Sequence, residues 1–304
     1  TPGISSAASD VYKRQVMWMA AGFTMLEAGL VQKKNTAEIV TKNLGLYSIS
    51  CFMFLLCGYM AMYPGDDYAG GFFPAFDFTF GDTVADTVVD GYGYSESADF
   101  FFQVVFVATA CSIVSGAVAE RMNQWPFFAL VIFISAFIYP VQGYWNWGGG
   151  FLNADGYSDF AGSGTVHLAG AACALAAAIF IGPRMGKYGK VTGKAFGVFP
   201  KAKTNKLYGA NIPVAALGTF ILWLGWFGFN GGSQLAINGV ENANAVGQIF
   251  LNTNAAAGGG AMACLAVSKL LFGKTNILYA LNGAIAGLVS ITADPLSPSG
   301  YEAT

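Results

Sequence analysis

Charge is what this 304-residue chain has least of. Asp, Glu, Lys and Arg together make up 11% of it, where a soluble domain carries about 25%. So few ions cannot cover a water-facing surface, which excludes a soluble enzyme. The net charge is −2 and there is no basic arm, which excludes nucleic-acid binding. Histidine occurs once and cysteine five times. Cys51, Cys57, Cys111, Cys173 and Cys264 all lie inside apolar runs, where they serve as small packing residues; no CxxC pair or Cys/His cluster is present. No disulfide framework, metal centre or cofactor is therefore expected. A membrane-embedded enzyme is also not expected, because no HExxH or GxSxG stands near a span.

What the chain does have is apolar: 55% hydrophobic residues, 15% aromatics, 40 glycines and a mean hydropathy of +0.51. This composition predicts an all-α polytopic membrane protein. Uncharged runs place eight spans at 16–30, 43–62, 100–119, 125–144, 164–182, 207–229, 245–268 and 277–293. At about 20 residues per span these occupy about half the chain. The first is short and contains Glu27, so it reads as the inner end of a longer span.

Charge placement sets the direction. The connection 63–99 carries Asp66, Asp67, Asp77, Asp82, Asp86, Asp90, Glu96 and Asp99 and no Lys or Arg. The connection 183–206 carries Arg184, Lys187, Lys190, Lys194, Lys201, Lys203 and Lys206 and no acid. Alternating the spans puts 13 of the 15 basic residues on one side, the cytoplasmic one. The basic connection reads as an ordinary positive-inside loop against anionic lipid. Residues 1–15 are polar and unlike the rest. They lack a signal-peptide core and are set apart as an unrelated stretch, leaving 16–304 as the membrane domain.

Small residues crowd two spans, AGAACALAAA at 169–178 and AAAGGGAMA at 255–263. Such faces let helix backbones approach closely, and 164–182 is expected at the centre of the bundle. It carries His167, eight residues after Asp159, about 12 Å along a helix and so near mid-membrane. An ionisable group at that depth marks a pathway or proton relay; the alternative is a neutral imidazole bonded to a neighbouring helix. Asp159 is either a plain helix cap or a fixed negative charge at the mouth of a cation route. Phe102 and Phe106 share a helix face. Trp145 and Trp147, and Trp226, Phe227 and Phe229, fall at outer span ends, as a lipid belt or as ring faces for a small cation. Ser233 adds a hydroxyl acceptor at that level.

The segments FFQVVFVATACSIVSGAVAERM (101–122), WNWGGGFLN (145–153), DFAGSGTVHLAG (159–170) and LGWFGFNGGS (224–233) resemble the ammonium transporter family, relatives of the Mep and Rh proteins. So do GFTMLEAGLVQKKN (22–35) and LNGAIAGLVSITA (281–293). The resemblance runs from about residue 16 to 300. It implies an eleven-helix fold with an extracellular N-terminus and an inverted repeat, a homotrimer with one pore per subunit, and location in the plasma membrane. Carried onto this chain, it implies an outer cation-π site of Phe106 and Trp147, with Ser233 bonding ammonium and Asp159 stabilising the charge. Phe106 and Phe229 would be the phenyl gate, Phe102 an additional wall, and His167 the first of a pore histidine pair. The second belongs on the tenth helix, and this chain reads as carrying about eight of the eleven, truncated at both ends.

The function implied is transport of ammonium and methylammonium, with deprotonation at the gate and passage along a histidine-lined lumen. An ammonium sensor built on the same pore is the alternative. A PII-type signalling protein is the implied partner on the cytoplasmic face.

Overall fold

The computed structural model describes residues 11–78, 95–188 and 204–304. Of the two charged connections, Asp82, Asp86, Asp90, Lys190, Lys194, Lys201 and Lys203 lie outside the described residues. Among the described residues a helix answers to each of the eight expected spans. These helices are α1 (Trp18–Leu30), α2 (Lys33–Met62), α3 (Glu96–Val118), α4 (Gln124–Ala154), α5 (Ser163–Ile181), α6 (Ile212–Gly232), α7 (Gly239–Phe272) and α8 (Ile277–Ile291). The six from α2 to α7 are long and apolar enough to cross a membrane; α8, also apolar, and α1 are shorter. The chain is a multi-pass, all-α membrane protein.

Several helix ends follow directly from local chemistry. Ser95 accepts the Ala98 N–H to start α3, Asn211 the Val214 N–H to start α6, and Asn276 the Leu278 N–H to start α8. Each satisfies a donor that the first turn leaves without an intrahelical partner. Gly273, at φ +72°, ends α7 in the left-handed conformation glycine tolerates.

Helix α6 packs along α1 and α7 along α8. The first pair closes at Gly218, where an added methyl would run into the backbone of Leu26. The most buried helix is α3: 78% of its most apolar stretch is inside the bundle, against 28% for α5. Among the described residues α3, and not α5, is thus the more enclosed helix. The small residues of α5 do allow one close approach, Gly170 against the Ala110 carbonyl of α3. Its large side chains Leu168, Leu175, Ile179 and Phe180 point outward and are exposed.

Residues 11–15, which the sequence sets apart, are helical and packed. Lys13 and Val16 are buried, Tyr12 meets Phe250 edge-on, and the Gln15 amide donates to the Leu224 carbonyl at 2.7 Å. The packed body thus starts before residue 16. Polarity hid this, because the segment buries its stems against α6 and α7 without an apolar run.

Candidate functional site

The site gathers on α3, α4, α5 and α6. Phe106 comes from the middle of α3 and Phe229 from the last turns of α6, and both are fully buried. Their rings stack, with centroids 4.0 Å apart and planes at 29°. Phe102, one turn before Phe106, packs on it at 4.6 Å. Trp147, at the turn that interrupts α4, lies 5.9 Å from Phe106. On the other side of the stack His167 lies 5.3 Å from Phe229 and 4.9 Å from Trp226. The three rings and the imidazole expected to act together thus form one contiguous column.

Asp159 explains how α5 begins. Its Oδ1 accepts the N–H groups of Gly162 (3.1 Å) and Ser163 (2.9 Å), and its Oδ2 those of Gly164 (2.8 Å) and Thr165 (2.7 Å). The carboxylate therefore caps the helix, as one of the two sequence readings holds. It also fixes the ring site, because the Trp147 indole N–H donates to the Asp159 carbonyl at 2.8 Å. Gly162 adopts φ +106° between cap and helix, so α5 starts only at Ser163, with a widened π-type turn over Ser163–Leu168. His167 accordingly sits four residues after the helix start at Ser163, rather than eight residues along a helix begun at Asp159.

Ser233 follows α6 directly, and its hydroxyl donates to the Phe229 carbonyl at 2.9 Å. Both oxygen lone pairs remain free of that bond, so the side chain can still accept from a cation. His167 is 5% exposed, and its Nε2 has no hydrogen-bond partner among the described residues. A bond to a neighbouring described helix at that nitrogen, the structural alternative, is absent.

Trp226, which the sequence places only among the outer-end aromatics, is the member to which the resemblance gives no role. It precedes Phe229 by three residues, on the same helix face, and this spacing was the available signal. Its indole N–H donates to Thr292 of the α8 end at 2.7 Å, and Thr292 lies 3.1 Å from Asn230 Oδ1. Beneath the column lies a cavity of ≈ 840 Å³. Its wall includes His167, Trp226, Phe23, Glu27 and Arg184. It is mostly apolar, with charge only where Glu27 meets Lys42 (3.6 Å) and Arg184 meets Glu120 (3.1 Å). Among the described residues no group of three His, Cys, Asp or Glu could hold a metal ion.

The family model described as Ammonium Transporter Family matches residues 11–297. The chain is 41% identical over 288 residues to the ammonium transporter Amt2 of Archaeoglobus fulgidus, covering 91% of this chain and 57% of that protein. It is 39% identical over 290 residues to Amt2 of Haloferax mediterranei, covering 91% and 60%. It thus spans less than two thirds of the length of these relatives. Among solved structures, one titled "Sensor Amt Protein" superposes with a TM-score of 0.87 at 35% identity, covering all of this chain and 72% of that one. Mep2 of Candida albicans superposes at 0.77 and 26% identity, covering 97% and 61%. On sequence and fold together, the chain belongs to the ammonium transporter family.

Proposed function

We propose that this chain forms part of a pore that carries ammonium across the membrane. The observation that carries the reading is the buried column Trp147–Phe106–Phe229–His167, whose rings follow one another at 5.9, 4.0 and 5.3 Å. A small cation reaching the outer rings exchanges water for π faces, worth about 2 kcal/mol when desolvated. Ser233 offers an acceptor at the same end, and the Asp159 carboxylate lends its field while holding the helix start. The stacked Phe106 and Phe229 leave no room for a hydrated ion, and an ion without its water is strongly disfavoured in an apolar lumen. Ammonium therefore gives up its proton at the gate, and neutral ammonia crosses. His167, directly below, takes part in moving the proton. A homotrimer and a PII-type protein on the cytoplasmic side are proposed partners, together with the surrounding lipid.

A relative with a sensor title favours a second reading, in which the same pore binds ammonium chiefly to signal. Uptake by the complete protein in liposomes decides between the two. Transport predicts saturable methylammonium uptake that Trp147→Leu or Phe106→Leu weakens about tenfold in affinity, the equivalent of about 1.4 kcal/mol. Tight binding without uptake would support the sensor, and unchanged affinity in both ring variants would remove the cation-π role.

A further inference from the structure

The pathway so far leaves one buried acid without a task. Glu27, near the inner end of α1, is 5% exposed and lines the same ≈ 840 Å³ cavity as His167. The other ionisable groups on the described part of that wall are His167, Arg184 and Tyr157, so Glu27 is its one carboxylate there. Its two oxygens differ. Oε2 accepts the Ser115 hydroxyl of α3 at 2.7 Å and lies 3.6 Å from Lys42 Nζ of α2. Oε1 is buried and meets no hydrogen-bond geometry among the described residues.

The surroundings hold the pair in place. Lys42 donates to the Ser115 carbonyl at 3.0 Å and lies 5.0 Å from the centre of the Phe127 ring. Asn43, beside it on α2, gives one amide N–H to the Ile39 carbonyl and also interacts through its side chain with the Glu27 carboxylate. Arg184, on the same wall, is taken by Glu120, whose other oxygen accepts from Gln32 and Asn35. An ion pair serving only as a brace gains by using every lone pair, since an unmet buried acceptor costs about 1–3 kcal/mol. An acid kept at that cost beside a pathway has a function there.

We propose that Glu27 is the inner proton acceptor of the pore, receiving through water in the cavity the proton that His167 holds and passing it to the inner side. The proposal rests on the transport reading above. In the step, one N–H bond of the imidazolium breaks and its electron pair stays on nitrogen. Each intervening water accepts one proton and gives up another, and an O–H bond forms on the Glu27 carboxylate. The products are a neutral imidazole and a neutral carboxyl. The carboxyl then loses the proton to inner water, which restores the carboxylate beside Lys42. The cavity has room for such a chain, as a liquid water occupies about 30 Å³.

The test uses the complete protein in liposomes, with two readouts: ammonium-evoked current on a supported membrane, and methylammonium competition at the outer site. Glu27→Gln is expected to lower the current at least about tenfold, the lower range for losing a positioned acid or base. Competition stays within about twofold, because the outer rings are untouched, and Glu27→Asp recovers part of the current. Wild-type current from Glu27→Gln overturns the proposal. If that variant fails to assemble, Glu27→Gln/Lys42→Gln, which strands no charge, replaces it. Absence of current in the double variant supports the proton role, whereas full recovery means Glu27 only neutralises Lys42 and overturns it. A wild-type protein that carries no current, with ring variants that leave competition unchanged, overturns the transport reading itself.

Discussion

The imidazole of His167 lies face to face with the indole of Trp226, with centroids 4.9 Å apart and planes at 19°. The pair is held from behind. Trp226 donates to Thr292 Oγ1 at 2.7 Å, and Asn230, 3.1 Å from that oxygen, donates onward to Thr253 at 3.0 Å. All these groups are buried, so the orientation of the ring under the gate depends on a dry polar network joining α6, α7 and the end of α8.

Thr292→Val keeps the shape and removes the acceptor, leaving a buried indole N–H unpaired. A loss of about 1–3 kcal/mol is expected, with Thr292→Ser close to wild type. Thermal unfolding of the purified protein in detergent measures both. Equal melting of the Val and Ser variants would mean the indole finds another acceptor.

The spans were legible because lipid demands long apolar runs, and all eight reappear as helices. The ring column was legible through motif spacing: Phe106 and Phe229 are far apart in sequence, yet each sits in a segment that resembles the family. Trp226 was not, because an aromatic at a span end looks the same whether it faces lipid or an imidazole. The Glu27–Lys42 pair was hidden for another reason. Its members lie on different helices, and only the packing of α1 and α2 against Ser115 of α3 brings them together. The helix start before His167 was not legible, because only the positive φ of Gly162 shows that helix begins at Ser163 and not at Asp159.

Close packing of α1 on α6 gives a paired test. At Gly218 an added Cβ would come within 2.7 Å of Leu26 Cα, and the neighbour is backbone that cannot turn aside. Gly218→Ala is expected to destabilise by about 1–3 kcal/mol through overpacking. Gly258→Ala, on α7, meets nothing within 4 Å and is expected within about 1 kcal/mol of wild type, on the stabilising side by helix propensity. Denaturant-induced loss of helical signal compares them; a Gly218→Ala variant as stable as Gly258→Ala would mean the two helices separate without cost.

Beyond the spans two carboxylates are held low by local hydrogen bonds, Asp294 and the fully exposed Glu302. Asp294, just past α8, is held below the usual carboxylate range, first by the Ser297 side chain and then by the Ser297 and Leu296 N–H groups. A carboxyl lowered by folding stabilises above its unfolded value, about 3.9, and the contribution is lost as pH falls through the folded one. The wild type is thus expected to lose a little stability below about pH 4, and Asp294→Asn to lack that increment. The group is mostly exposed, so the difference shrinks in high salt. Melting curves between neutral and acid pH, at two salt levels, test both statements; identical slopes for the two proteins would refute them.

Asp159 separates structure from substrate handling. Alanine there strands four backbone N–H groups at the start of α5, all now bonded at 2.7–3.1 Å. Asn keeps one accepting oxygen and substitutes an amide that cannot accept, so two of the four are lost. Stability should fall in the order Asp, Asn, Ala, with Ala costing at least about 2 kcal/mol, more than a single cap. The Trp147 indole is bonded to the backbone carbonyl of residue 159, so Asn can leave that ring in place while removing the charge. A carboxylate that stabilises the bound cation makes methylammonium affinity fall in Asp159→Asn by more than the melting temperature would suggest, and by less as salt is raised. If affinity instead follows stability across Asp, Asn and Ala with no salt dependence, Asp159 is a helix cap alone. The outer site then rests on its rings and the Ser233 hydroxyl.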